Sequence, residues 1–234
     1  MDDTHPLEER LVPTCVDTLA DARFVKLYDL VYEGGVNGSG KPYHYFEASR
    51  REAADLLAVK SDVELVSTLP DATSICLILE LEDDEPRIVM FHEFRYPTGQ
   101  YVLAIPSGLI DERDLAEDDP LVSATVREIF EETGIRVRES DAVHVVNPLL
   151  FCTPGLTDES TALMCVVVRR KDREALAAEL TQDGAEGSEL FDGFDLLTRD
   201  EAWRIIRDGR EMRGRFYPMV AWTALMWFVT GQWR

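Results

Sequence analysis

A helix whose two ends are written into the sequence constrains the middle of this chain. In the stretch from Gly108 to Ile135, GLIDERDLAEDDPLVSATVREIFEETGI, Asp119 suits an N-cap. Pro120 suits the first helical position, where its missing N–H would be unpaired anyway, and Gly134 can take the left-handed conformation that closes a helix. At about 100° of rotation per residue, Glu128, Glu131 and Glu132 fall within one arc roughly 100° wide, while Val122, Val126, Ile129, Phe130 and Thr133 gather opposite. The spacing predicts one packed face and one charged face. Carboxylates at i, i+3 and i+4 repel, so an isolated helix gains nothing from them. A hard divalent ion such as Mg²⁺ removes the repulsion, taking one or two carboxylates and completing its shell with water and phosphate oxygens. A solvated acidic face is the commoner reason for such a run in an acidic protein. The neighbouring pattern decides between the two.

The chain has 234 residues and is 45% hydrophobic, enough for one large domain or a core domain with an extension. Its formal charge of −21 argues against a nucleic-acid backbone or an anionic membrane as partner, because both need a basic surface. An anionic substrate would then need local cations. Cys15, Cys76, Cys152 and Cys165 form no CxxC or His-paired metal spacing, and nothing resembling a signal peptide precedes them. They read as reduced, mostly buried thiols of a cytoplasmic protein.

Residues 1–22 are polar and acidic and fit a loose arm or a short helix. Alternating runs at Phe24–Glu33 and Tyr43–Ser49, separated by GGVNGSGKP, predict a hairpin with a long loop. Such a hairpin is too small to stand alone. Glu52–Val59 continues as a helical turn. Strands are expected at Ser74–Leu81, Arg87–Phe94, Tyr101–Ile105, Ala142–Leu150, Ala162–Arg169 and Leu190–Leu197. Helices are expected near Asp172–Leu180 and Asp200–Arg207, with QDGAEGSE as a loop. The most apolar stretch, Phe216–Trp233, falls short of the roughly 20 apolar residues of a membrane span and reads as a buried helix over the sheet or a dimer face. Strands alternating with helices in this order give an α/β sandwich with a mixed sheet. The expected division is an N-terminal arm and hairpin over residues 1–60, with the main domain at 61–234.

The segment Arg127-Glu128-Ile129-Phe130-Glu131-Glu132-Thr133-Gly134-Ile135 matches R-E-U-x-E-E-x-G-U, where U is a bulky aliphatic residue, and so resembles the second half of the Nudix box. The first half departs: five residues are inserted between Gly108 and Arg127, and the family glutamate is replaced either by Asp114, counted from Gly108, or by Asp119, counted from Arg127. Upstream, His92-Glu93-Phe94-Arg95-Tyr96-Pro97 and Leu103 to Asp111 resemble the E-x-[FY]-R-Y-P and L-P-[AS]-G-L-I-D segments of the ADP-ribose and ADP-sugar pyrophosphatase branch. Downstream, Thr153-Pro154-Gly155-Leu156-Thr157-Asp158-Glu159 resembles that branch's S-P-G-x-[ST]-[DS]-E loop.

The resemblance implies a Nudix-type α/β/α sandwich that hydrolyses ADP-ribose or a related ADP-sugar to AMP and a sugar phosphate, with Mg²⁺ as cofactor and Mn²⁺ as a substitute. It places metal ligands on Glu128, Glu132 and the Ser107 carbonyl, with Glu131 reaching a metal directly or through water. Arg127 holds the box carboxylates, and Glu159 activates the attacking water. Arg95 either clamps a phosphate or forms a strand-end salt bridge, and Arg50 or Arg51 offers a second cation from the hairpin. Tyr28, Tyr45 and Phe46 are the candidates for stacking on adenine. A homodimer through the hairpin is the branch's habit. Two alternatives stay open: a pyrophosphatase for a dinucleotide, NADH or coenzyme A, and a module that binds ADP-ribose without cutting it.

Overall fold

In the stretch Ile75 to Leu79, Ile75, Leu77 and Leu79 fall on one side of a strand and Cys76 and Ile78 on the other, all without solvent exposure. A strand apolar on both faces must lie inside a sheet with both faces covered. In the structure, a computed structural model that describes residues 11–34, 40–181 and 189–234, this strand is β4 (Ala72–Leu81). Residues 35–39 of the expected hairpin loop, 182–188 of the QDGAEGSE loop and 1–10 of the expected arm lie outside the described residues. The chain divides into two units, Met1–Leu69 with Phe151–Ser160, and Pro70–Leu150 with Thr161–Arg234.

The second unit holds a seven-stranded mixed sheet. β4 pairs in parallel with β9 (Ser160–Arg170), from Ala72 opposite Thr161 to Leu81 opposite Arg170. β8 (Ala142–Phe151) lies beyond β9, and β5 (Arg87–Arg95) joins the other edge of β4, with β10 (Phe191–Leu197) outside it. The β4–β5 ladder runs only over Ile78–Ile88 and Leu79–Arg87. The two strands then part. β6 (Gln100–Ala104) takes up the free edge of β5, and β7 (Ser107–Leu109) that of β4. Ile75 N–H donates to the Pro106 carbonyl at 2.8 Å, which pins the crossing between them. β7 is an addition to the expected strands.

Helices cover both faces. Ile129 and Ile135, in and after α3 (Pro120–Thr133), and Leu176 of α4 (Arg173–Ala177) pack with Ile75, Leu77, Leu79 and Val89. On the opposite face, Ala202 and Ile205 of α5 (Arg199–Asp208) and Ala221, Leu225 and Phe228 of α6 (Met219–Thr230) pack with Cys76, Ile78 and Met90. The result is the expected α/β/α sandwich. α6 has twelve residues and closes at Gly231 in the left-handed region, φ 75°. Among the described residues no helix is long and apolar enough to cross a membrane.

The first unit contains an antiparallel sheet ordered β1 (Cys15–Asp21), β2 (Lys26–Tyr32), β3 (Tyr43–Ser49). The expected hairpin is present and carries a third strand where the sequence suggested an arm or short helix. β1 is mostly exposed and lacks a clean alternation, so only its ladder to β2 reveals it. Behind the sheet, Tyr28, Leu30 and Leu56 form a small core, and α1 (Asp62–Val66) follows with a Ser61–Glu64 capping box. The 151–160 segment joins this unit through Ala48 N–H donating to the Leu156 carbonyl at 3.0 Å and Tyr45 Oη donating to the Gly155 carbonyl at 2.7 Å. All four cysteines are free. Cys76 and Cys165 are buried, Cys152 is half-buried and Cys15 is exposed, so the expectation of mostly buried thiols holds for two.

Candidate active site

α3 begins and ends where the sequence places its caps: the Asp119 side chain accepts from the N–H groups of Leu121 and Val122, and Gly134 closes the helix at φ 73°. Its faces differ from the expectation. The buried residues are Ala124, Thr125, Glu128, Ile129, Glu132 and Thr133, while Phe130 is 40% exposed, its ring 4.1 Å from the Arg136 guanidinium. The charged arc therefore overlaps the packed one. Glu128 and Glu132, 8% and 5% exposed, point inward, and Glu131 sits at the rim.

Each inward glutamate has a reason to stay there. Ser107 N–H donates to Glu132 Oε2 at 2.9 Å, which ties the helix to β7. A Cβ built on Gly108 would fall on the Glu128 carboxyl group, so the absent side chain at 108 is what gives Glu128 its room. Burial pushes the Glu132 carboxyl well above the usual range against the Ser107 N–H, helped by the charges of Glu128, Glu93 and Glu189. Burial raises Glu128 too, with Arg127 opposing.

Arg127 organises the rim. Its Nη1 donates to Glu128 Oε1 at 2.6 Å and Glu131 Oε2 at 3.0 Å, and its Nη2 to Asp114 Oδ2 at 2.7 Å and the Leu109 carbonyl at 2.9 Å. Burial works against its charge, yet Asp114 and Glu128 hold the guanidinium more firmly protonated than usual. Asp114 lies in the insertion, which folds as a short helix, α2 (Glu112–Leu115), through an Asp111–Asp114 capping box. That D-x-x-D pattern is a variant of the helix-start signature, a signal the sequence carried. Of the two aspartates left open, Asp114 meets Arg127 and Asp119 caps α3.

The other expected residues lie as follows. Arg95, 47% exposed at its side chain, pairs with Glu93 at 2.7 Å, two residues back on the same face of β5. The salt bridge is formed, and the side chain is about half exposed. Glu93 itself is buried, and the sequence passed over it although it heads the Glu-Phe-Arg segment. In the first unit, Glu159 Oε1 accepts from Arg50 Nε at 3.1 Å, both partly exposed. Arg51 turns inward to Asp158 at 3.3 Å. Tyr28 is 1% exposed and its hydroxyl donates to the Arg51 carbonyl, so it is a core residue with no face open for adenine.

Glu128, Glu131, Glu132 and the Ser107 backbone are all hard oxygen donors, and the buried carboxylates concentrate negative charge that a divalent ion would neutralise. Among the described residues, no three His, Cys, Asp or Glu side chains form a ready metal cage.

No family model matches the chain. It is similar to "Putative nudix hydrolase 2" of Caenorhabditis elegans, 40% identical over 81 residues, which are 35% of this chain and 33% of that protein. "Nudix hydrolase 14, chloroplastic" of Arabidopsis thaliana is 26% identical over 59% of this chain and 46% of its own length. "ADP-sugar pyrophosphatase" of Mus musculus is 27% identical over 56% of this chain and 57% of its own. The chain thus spans between 33% and 57% of the length of these relatives. With the R-E-U-x-E-E-x-G-U helix buried against β7 in an α/β/α sandwich, the chain is similar in sequence pattern and in fold to proteins named Nudix hydrolases.

Proposed function

We propose that the chain hydrolyses the pyrophosphate bond of ADP-ribose or a related ADP-sugar, with Mg²⁺, to AMP and a sugar phosphate. The observation that carries the reading is the pair of buried carboxylates, Glu128 and Glu132, set against the Ser107–Gly108 backbone with Glu131 at the rim. These groups would hold the ion, which when bound neutralises pyrophosphate charge and makes its water more acidic. Arg127 keeps Glu128 and Glu131 oriented by direct hydrogen bonds. The half-exposed Arg95 side chain is suited to a phosphate oxygen. Glu159 is assigned to accepting the water's proton on the strength of its loop sequence, with Arg50 as its partner. The name of the mouse relative supports an ADP-sugar as the substrate class.

The test is kcat/KM across ADP-ribose, other ADP-sugars, dinucleotides, NADH and coenzyme A, with Mg²⁺ titrated from zero. The reading expects ADP-ribose or an ADP-sugar at the top and no turnover without a divalent ion. Turnover unaffected by EDTA would overturn it, and binding of ADP-ribose with no product would make the chain a binding module. A homodimer through the first unit's sheet belongs to the same proposal, and light scattering at micromolar concentration tests it.

A further inference from the structure

Within the first unit lies a cavity of about 420 Å³. Its walls include Leu30, Tyr32, Tyr43, Tyr45 and Phe151, and Glu47 is set among them. The rings of Tyr32, Tyr43 and Tyr45 follow one another at centroid separations of 6.5 and 6.4 Å. Glu47 is 6% exposed, and among the described residues its Oε2 has no hydrogen-bond partner. An orphaned buried carboxylate oxygen is costly, and in an aromatic setting its natural complement is a positive group that donates a hydrogen bond.

The groups facing Glu47 give its Oε2 no hydrogen bond. Across the ladder on β2 stands Tyr28, whose hydroxyl is spent on the Arg51 carbonyl. Asp158 also lines the cavity, but it already accepts from Ser49 Oγ at 2.7 Å and Leu57 N–H at 3.3 Å, with Arg51 at 3.3 Å. Tyr45 Oη is bonded to Gly155. The Arg51 guanidinium is directed to Asp158.

We propose that this cavity binds a protonated organic amine of one-ring size, its ammonium on Glu47 and its apolar body against the tyrosines and Phe151. The ammonium supplies the donor that Oε2 lacks and meets the negative faces of the rings. Burial, and then the charge of Asp158, raise the Glu47 carboxyl to about 7, with Arg51 opposing. An amine is therefore held by the ionised form only, and below that value it must displace a proton.

The experiment is calorimetric titration of the full chain with benzylammonium, which keeps its charge throughout, and with benzyl alcohol as a neutral control, at pH 6 and pH 8. The ionised fraction of a carboxyl with a pKa of about 7 changes about tenfold between these values, so amine affinity should fall about tenfold at pH 6 while the alcohol stays level. Glu47→Gln should bring the amine down to the alcohol, and Tyr43→Leu, at an exposed ring, should weaken the amine with the fold intact by circular dichroism. Equal binding of amine and alcohol, no binding of either, or an unchanged Glu47→Gln affinity would overturn the proposal. So would adenosine binding here independently of pH while the amine does not, since the cavity would then seat a neutral amino-bearing ring.

Discussion

Arg127 Nη2 meets Asp114 Oδ2 at 2.7 Å across thirteen residues of sequence, so one guanidinium spans the insertion and the box carboxylates. Asp114 is 1% exposed, and its remaining acceptor sites take Ser123 Oγ at 2.8 Å and the Asp111 N–H at 3.1 Å.

Removing one partner of a buried ion pair typically costs about 3–5 kcal/mol, and Asp114→Ala should fall near the lower end because Arg127 keeps its glutamates. Urea unfolding measures it. Turnover should fall as well, since Arg127 is then held from one side only. A stability loss below about 0.5 kcal/mol, the usual size for a surface change, would show that the pair contributes little.

Gly108→Ala should damage the site directly, because the new Cβ would overlap the Glu128 carboxyl. The carboxyl is the far end of a flexible side chain and would swing aside, so the loss should fall on turnover, measured as kcat/KM, more than on stability. Gly155→Ala is the control: its Cβ would meet nothing within 4 Å, so its stability should stay within about 0.5 kcal/mol of the parent. Equal behaviour of the two variants would contradict the packing.

Glu132→Gln should separate stability from activity. The carboxylate is buried with a single backbone N–H for support, and a glutamine oxygen can accept the same hydrogen bond. The variant should be at least as stable as the parent without metal. Turnover should drop at least about a hundredfold, as supporting residues of metal sites alone can cost 10–100-fold. The rise in Tm on adding Mg²⁺ should also disappear. Near-normal turnover at saturating Mg²⁺ would remove Glu132 from the metal set.

His92 sets a pH dependence. It is 1% exposed, with the Asp195 carboxylate 3.1 Å from Nδ1 and the Glu211 carboxylate 3.1 Å from Nε2. Asp195 raises the imidazole above its ordinary value, against burial and with the help of Glu211. A raised pKa adds stability that is complete below the unfolded value of about 6.5 and is lost as pH rises through the folded one. Unfolding free energies from pH 6 to 9 should therefore show the parent losing its advantage over His92→Gln as pH climbs. A constant difference would mean that the imidazole contributes only by packing.

The sequence by itself determined the local structure. Asp119, Pro120 and Gly134 fixed the ends of the box helix because caps depend on neighbouring backbone groups alone. The alternating and apolar runs likewise marked β2 to β6 and β8 to β10, and the length of α6 argued against a membrane span. Only tertiary structure decided what depends on distant partners. β1 exists through its ladder to β2, and β7 through the parting of β4 and β5. Asp114 rather than Asp119 engages Arg127 because α2 folds the insertion back. The inward turn of Glu128 and Glu132 follows from where β7 and Gly108 lie, since a helix's periodicity says which residues share a face and the packing of its neighbours says which face is buried.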